Sequence, residues 1–203
     1  MLERFRTFWT KVFSPVARTF LRWGISPDAV TLVGTIGVCA GALVFFPQGE
    51  LLIGVIVITV FVFSDLIDGH MARLSGKSSS WGAFLDSTLD RFGDAAIFGG
   101  LTMYYVGPGD SEPLAALALY CLVMGSVTSY ARARAESLGM QAKGGIAERA
   151  DRLVAILVMT GLADIFDLLI LIPVTLGLLA LASTITVVQR VLLVRSQAKA
   201  TTG

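Results

Sequence analysis

The chain has 203 residues, 55% hydrophobic and 15% charged, with a net charge of +1 and a mean hydropathy of +0.76. A soluble domain of this size carries about 25% charged residues, so the composition excludes a water-soluble globular protein. The length leaves no room for two independent domains, and the charge balance gives no sign of a nucleic-acid partner.

Residues 1–23 lack the continuous apolar core and small-residue cleavage site of a secretory signal. Leu2, Phe5, Trp9, Val12, Val16 and Phe20 recur every three or four residues, and Arg4, Arg6, Lys11, Arg18 and Arg22 intervene. The spacing predicts an amphipathic helix lying in the membrane surface, with Pro15 as a break. Six apolar spans follow, near 28–46, 51–74, 82–106, 113–137, 148–163 and 168–192. The expected fold is therefore an all-α integral membrane protein, a single domain over 1–203 with a six-helix bundle at 28–192. Pro47, the Gly107–Asp110 cluster and the 164–167 stretch mark turns on one side; 75–80 and 139–145 mark turns on the other. Cys39 and Cys121 lie inside apolar runs and are expected to pack rather than pair.

The turns at 47–50, 107–112 and 164–167 hold no Lys or Arg, and all sixteen such residues fall on or near the opposite side. By the positive-inside rule both termini are cytoplasmic, in a multi-pass protein of the cell membrane. An odd number of spans would break this segregation. Polar residues are also confined to the cytoplasmic helix halves: Asp65, Asp68 and Arg73 close span two, Asp86, Asp90, Arg91 and Asp94 begin span three, and Asp151 and Arg152 open span five. At 1.5 Å per residue, Asp65 lies about 13 Å inside its helix end. The pattern implies a polar cavity sunk into the cytoplasmic leaflet beneath a closed outer half.

Asp65 and Asp68 are spaced i, i+3, and Asp86 and Asp90 are spaced i, i+4, so each pair projects from one helix face. Carboxylates at membrane depth are costly and mark function. Four converging oxygen donors suit a hard divalent cation, Mg²⁺ or Mn²⁺ in its place, and two such ions would balance the charge. Two-metal sites stabilise the attacking and leaving oxygens of phosphoryl displacements. Gly69 would let a flat ligand approach the backbone, and Arg73 would meet phosphate. Asp94 extends the row and reads as a group that either supports the ligating carboxylates or pairs helices rather than as a direct ligand, and His70, the only histidine, reads as incidental.

The run Asp65-x2-Asp68-Gly69-x2-Ala72-Arg73-x8-Gly82-x3-Asp86-x3-Asp90 resembles, at every fixed position, the signature of the CDP-alcohol phosphotransferases. In that family a hydroxyl attacks the β-phosphate of a CDP-linked lipid or alcohol and CMP leaves. The resemblance implies that Asp65, Asp68 and Asp86 bind metal, Asp86 bridging two ions, and that Asp90 binds the second ion and accepts the nucleophile's proton. It implies that Gly69, Ala72, Arg73, Ser79 and Gly82 surround the CDP group, together with Asp28, Ala29, Val30 and Thr31 at the start of the first span. A metal-bound carboxylate is a weak base, so the metal or the developing transition-state charge is expected to acidify the hydroxyl, with Asp90 accepting the proton late.

A basic cluster brackets the turn between spans four and five: Arg132, Arg134, Lys143, Arg149 and Arg152. Positive-inside anchoring explains a basic turn, but it explains Arg132 and Arg152, within the helix ends, less well. A phosphorylated acceptor fits them better. The stretches Ser129-Tyr-Ala-Arg132-Ala-Arg134 and Ala147-Glu-Arg149-Ala-Asp151-Arg152 are similar to those of the actinobacterial phosphatidylinositol-phosphate synthase branch of the family. That similarity implies CDP-diacylglycerol as donor and inositol 1-phosphate as acceptor, held by Ser129, Arg132 and Arg152, with Arg190 or Arg195 adding a contact. It also implies a homodimer among membrane lipids. Glycerol 3-phosphate, the acceptor of a phosphatidylglycerophosphate synthase, would use the same arginines. A cation transporter is the main non-enzyme reading, but the ionisable row stops halfway across the spans, whereas alternating access needs both sides.

Overall fold

The computed structural model describes residues 14–75 and 79–201, without the side chains at 64–66, 72, 75 and 201. Among the described residues all regular structure is helical. Six long helices follow one another: α1 (Pro27–Ala40), α2 (Leu51–Ser75), α3 (Ser80–Val106), α4 (Glu112–Ser137), α5 (Arg149–Ile165) and α6 (Leu171–Thr201). Their bounds follow the apolar spans closely, except that α6 runs past 192 to Thr201. Span one is not one regular helix: α1 widens into a π-turn at Gly41–Phe45 and tightens into a 3₁₀ turn at Phe46–Gln48. Pro47 lacks the N–H that would continue the ladder.

Each helix packs principally against two others, in the cyclic order α1, α2, α5, α6, α4, α3 and back to α1. The half of this ring nearer the turns at 46–50 and 107–111 is an apolar core of Phe46, Leu51, Ile58, Phe98, Leu101, Ile156 and Leu176 among others. Close approach depends on small residues: a Cβ at Gly54 would sit 2.6 Å from the Phe46 ring, and one at Gly100 would sit 2.6 Å from the Ala42 carbonyl oxygen. Asp164, on the outer turn, accepts a 2.9 Å hydrogen bond from the Leu52 N–H, satisfying a donor in the first turn of α2. Cys39 and Cys121 are free thiols within the helices.

Four segments are long and apolar enough to cross a membrane: Pro27–Gln48, Leu51–Met71, Glu112–Ser137 and Leu171–Ala200. Aliphatic side chains such as Val33, Ile36, Ile56, Val60, Leu178 and Leu181 face outward from them, as lipid-facing surfaces do. The chain is membrane-embedded. Helix α3 falls short of the same apolar standard because it carries internal charges, Asp86, Asp90, Arg91 and Asp94, and α5, with Arg149, Asp151 and Arg152 in its first turn, is 17 residues long and too short for it.

Residues 1–13 of the expected surface helix lie outside the described residues. Residues 14–22 are helical. Their inner face is Ala17, Phe20 and Leu21, which pack with Val30 of α1 and with Ile67 and Met71 of α2; Arg18 and Arg22 are exposed. His70 has a structural partner that sequence spacing does not show: its Nε2 and the Ser14 hydroxyl are 2.8 Å apart.

The tight contact of Gly100 with the Ala42 carbonyl yields a stability prediction. Gly100→Val should destabilise the bundle by about 1–3 kcal/mol through overpacking, read as a lower thermal-unfolding midpoint in detergent. An unchanged midpoint would contradict the packing described.

Candidate active site

The first half of the site lies where the starts of α1 and α3 meet the end of α2. Ser26 caps α1, its hydroxyl accepting from the Ala29 N–H at 3.2 Å. Ser79 caps α3 in the same way, accepting from the Gly82 N–H at 3.0 Å. The two starts are tied by the Trp81 indole N–H, which donates to Asp28 Oδ2 at 3.2 Å. A Cβ at Gly82 would lie 3.8 Å from Asp28 Oδ1. Asp28, Ser79 and Gly82, expected to share a nucleotide site, are thus brought together. Gly69 faces open space, since a Cβ there would meet nothing within 4 Å; packing does not demand a glycine at this position. Val30 and Thr31 are placed differently. Val30 is buried in the small core with Ala17 and Met71, and the Thr31 hydroxyl bonds the Pro27 carbonyl of its own helix.

The second half is a cavity of about 920 Å³ bounded by α3, α4, α5 and α6. Asp90 borders it, as do Ser129, Arg132 and Arg152. Arg190 also borders it and Arg195 does not, which separates the two arginines that sequence leaves equivalent. The wall holds five arginines against three carboxylates, Asp90, Glu136 and Glu148.

An ion-pair network crosses this space. Arg149 on α5 pairs with Asp90 Oδ1 and with Asp94 Oδ1, each at 2.9 Å. Arg91 lies 3.3 Å from Asp94 Oδ2 and donates to the Ser129 hydroxyl. Arg132 pairs with Glu136 one turn along α4, at 3.0 Å. Arg152 and Arg190 are different. They are 2% and 5% exposed, yet among the described residues neither has a salt-bridge partner. Arg152 donates to the Ala147 carbonyl at 3.1 Å, and Arg190 donates to the carbonyls of Gly144 and Thr128 at 3.1 and 2.6 Å.

A family model for CDP-alcohol phosphatidyltransferases matches residues 24–188. The chain belongs to this family. It is 51% identical, over 97% of its length and 84% of the relative's, to a protein of Streptomyces avermitilis named phosphatidylinositol phosphate synthase. Among solved structures it is similar to the Mycobacterium tuberculosis phosphatidylinositol phosphate synthase with CDP-DAG bound. That match has a TM-score of 0.87 at 42% identity and covers 91% of this chain and 94% of the other. The same mycobacterial enzyme in complex with manganese and citrate matches with a TM-score of 0.84 at 42% identity, covering 90% and 88%.

Asp68, Asp86 and Asp90 of this phosphatidyltransferase supply hard carboxylate oxygens of the kind that suits Mg²⁺ or Mn²⁺. Asp68 is buried, Asp90 half-buried and Asp86 exposed, and the open space at Gly69 adjoins Asp68. The donor chemistry fits a divalent ion. Among the described residues no three His, Cys, Asp or Glu side chains form a metal-holding group, and the Asp65 side chain is outside them.

Sequence reasoning placed Arg149 only in a general basic cluster. The structure makes it the partner of both Asp90 and Asp94. The i, i+4 row Asp86, Asp90, Asp94 was the available signal that a cation must face α3. Replacing Asp94 with alanine leaves Arg91 and Arg149 half-buried with one carboxylate fewer. Asp94→Ala should cost about 1–3 kcal/mol of stability, measured as a lower unfolding midpoint in detergent; an unchanged midpoint would show that the network does not hold α3 to α5.

Proposed function

We propose that this chain transfers the phosphatidyl group of CDP-diacylglycerol to the hydroxyl of myo-inositol 1-phosphate, giving phosphatidylinositol phosphate and CMP. One observation carries the reading: two buried arginines, Arg152 and Arg190, line a cavity beside Asp90 without a salt bridge among the described residues, the nearby carboxylates acting on them only at longer range. A buried cation needs compensation, and guanidinium groups match phosphate oxygens in geometry and charge. A phosphorylated acceptor supplies that charge, and free inositol does not. The relatives' names favour inositol phosphate over glycerol 3-phosphate.

In this reading the acceptor phosphate sits against Arg152 and Arg190, with Arg132 and Ser129 beside them. That places the acceptor's hydroxyl toward Asp90, on the same cavity wall. The hydroxyl oxygen bonds to the lipid-linked phosphorus, the phosphorus–oxygen bond to CMP breaks, and the hydroxyl proton passes to Asp90. Arg149 orients the Asp90 carboxylate through their 2.9 Å ion pair. Asp28, Ala29, Val30 and Thr31 at the start of α1, with Gly69, Ala72, Arg73, Ser79 and Gly82, surround the CDP group, Val30 and Thr31 through the backbone they pack in place. Asp65, Asp68, Asp86 and Asp90 would hold Mg²⁺ or Mn²⁺, which when bound supplies positive charge at the phosphoryl and leaving oxygens.

All six helices cross the membrane in this reading. The 17-residue α5 spans about 25 Å, near the lower limit for a bilayer core. The residues 1–23 lie along the cytoplasmic surface of the cell membrane, where both termini and the site open. The diacyl tails stay in the bilayer, entering between helices, and two copies form a homodimer.

Asp90→Asn should lower CMP release by about 10²-fold or more with the fold retained, the loss expected for a positioned proton acceptor. Full turnover by this variant would remove Asp90 from that role. Arg132→Ala should raise the KM for inositol 1-phosphate about tenfold, as loss of a charged hydrogen bond does, and change that for CDP-diacylglycerol little. Equal shifts would count against the acceptor site.

A further inference from the structure

The segment 139–148 joins α4 to α5 without regular structure, yet one face of α6 fastens it at three points. Thr186, Arg190 and Gln197 are spaced four and seven residues apart, which places them on a single helix face. Gln197 accepts from the Gln141 N–H at 2.9 Å and donates to the Gln141 carbonyl at 2.6 Å. Arg190 donates to the Gly144 carbonyl. Thr186 has the most demanding position. Its hydroxyl accepts from two successive backbone N–H groups, Ile146 at 3.1 Å and Ala147 at 3.2 Å, and donates to the Ala182 carbonyl at 2.8 Å. The side chain is fully buried. Gly145 crosses it with φ +137°, and a Cβ there would overlap the Thr186 methyl group. Only glycine fits this close crossing at that backbone angle.

Ala147 is held through both of its flanking peptide groups. Its N–H donates to Thr186 and its carbonyl accepts from Arg152 Nη1 at 3.1 Å. Arg152 lies in the first turn of α5, and among the described residues the bond to Ala147 is the one hydrogen bond its guanidinium makes. The orientation of the guanidinium toward the cavity therefore depends on where the Ala147 carbonyl stands. We propose that Thr186 is a positioning residue for the acceptor-phosphate site: by fixing the Ile146–Ala147 backbone it sets the Arg152 guanidinium. This rests on the acceptor reading given above. Thr186 does not border the cavity and touches no reacting atom, so its influence runs through the loop backbone.

The experiment is steady-state CMP release by the full-length protein in detergent with Mg²⁺, varying inositol 1-phosphate and CDP-diacylglycerol in turn. Thr186→Val keeps the β-branched shape and removes the acceptor oxygen; Thr186→Ser keeps the oxygen. Thr186→Val should raise the KM for inositol 1-phosphate about fivefold or more, the scale of a lost buried hydrogen bond, while the KM for CDP-diacylglycerol stays within about twofold. Thr186→Ser should restore the wild-type KM. An unchanged acceptor KM in Thr186→Val, or equal shifts for both substrates, overturns the positioning role. Arg132→Ala, which leaves the loop untouched, separates the two claims: if it raises the acceptor KM and Thr186→Val does not, the positioning role of Thr186 is wrong and the acceptor site stands. If neither variant moves the acceptor KM, the acceptor reading fails and the proposal falls with it. Hydrogen–deuterium exchange of the wild-type protein gives a readout free of any folding defect. Residues 144–148 should be protected, and exchange there at the rate of an open chain overturns the proposal.

Discussion

Arg149 reaches from α5 to Asp90 and Asp94 on α3, two helices that are not principal neighbours in the ring. This pairing spans the interior and allows charge to sit at that depth. An unpaired carboxylate in a membrane-embedded bundle carries a desolvation cost of several kcal/mol, and two in successive turns of one helix would also repel each other. With Arg149 and Arg91 against them, α3 can carry an acidic row and still close against α1 and α4. The apolar material is concentrated in the outer half, where Phe46, Leu51, Phe98 and Leu101 fill the ring. The inner half is left to charge and space.

That division gives the bundle two polar flanks. The starts of α1 and α3, tied by Trp81 and Asp28, meet the Asp68–Gly69 end of α2 on one flank. The arginine-lined cavity lies on the other. Asp90 borders the cavity and stands one helical turn from Asp86, so it is the residue that links the two flanks. An arrangement of this kind favours transfer between two bound phosphorylated molecules over passage of an ion.

Much of this was legible in the sequence because it depends on local periodicity. Apolar runs and polar turns mark all six helices, most of their ends to within a few residues, although α6 continues to Thr201 and the regular part of α1 stops at Ala40; the aspartate spacing marks the face each pair shares. What was not legible depends on helix rotation and on long-range hydrogen bonds. Arg149 and Asp94 are 55 residues apart, and only the packed ring determines that they meet. Thr186 reads as one more threonine in an apolar helix, and its role needs the path of the 139–148 loop. His70 reads as incidental until Ser14 is seen beside it. The π-turn at Gly41–Phe45 has no periodic signal, because a single wide turn leaves the apolar count unchanged.

The most direct test is CMP release by the purified protein with CDP-diacylglycerol and Mg²⁺, comparing inositol 1-phosphate, glycerol 3-phosphate and free inositol as acceptors. Release is expected with inositol 1-phosphate and little with free inositol, because the proposed site at Arg152 and Arg190 holds a phosphate. Equal release with free inositol would contradict the anion site, and release with glycerol 3-phosphate alone would retain the site and reject the assigned acceptor.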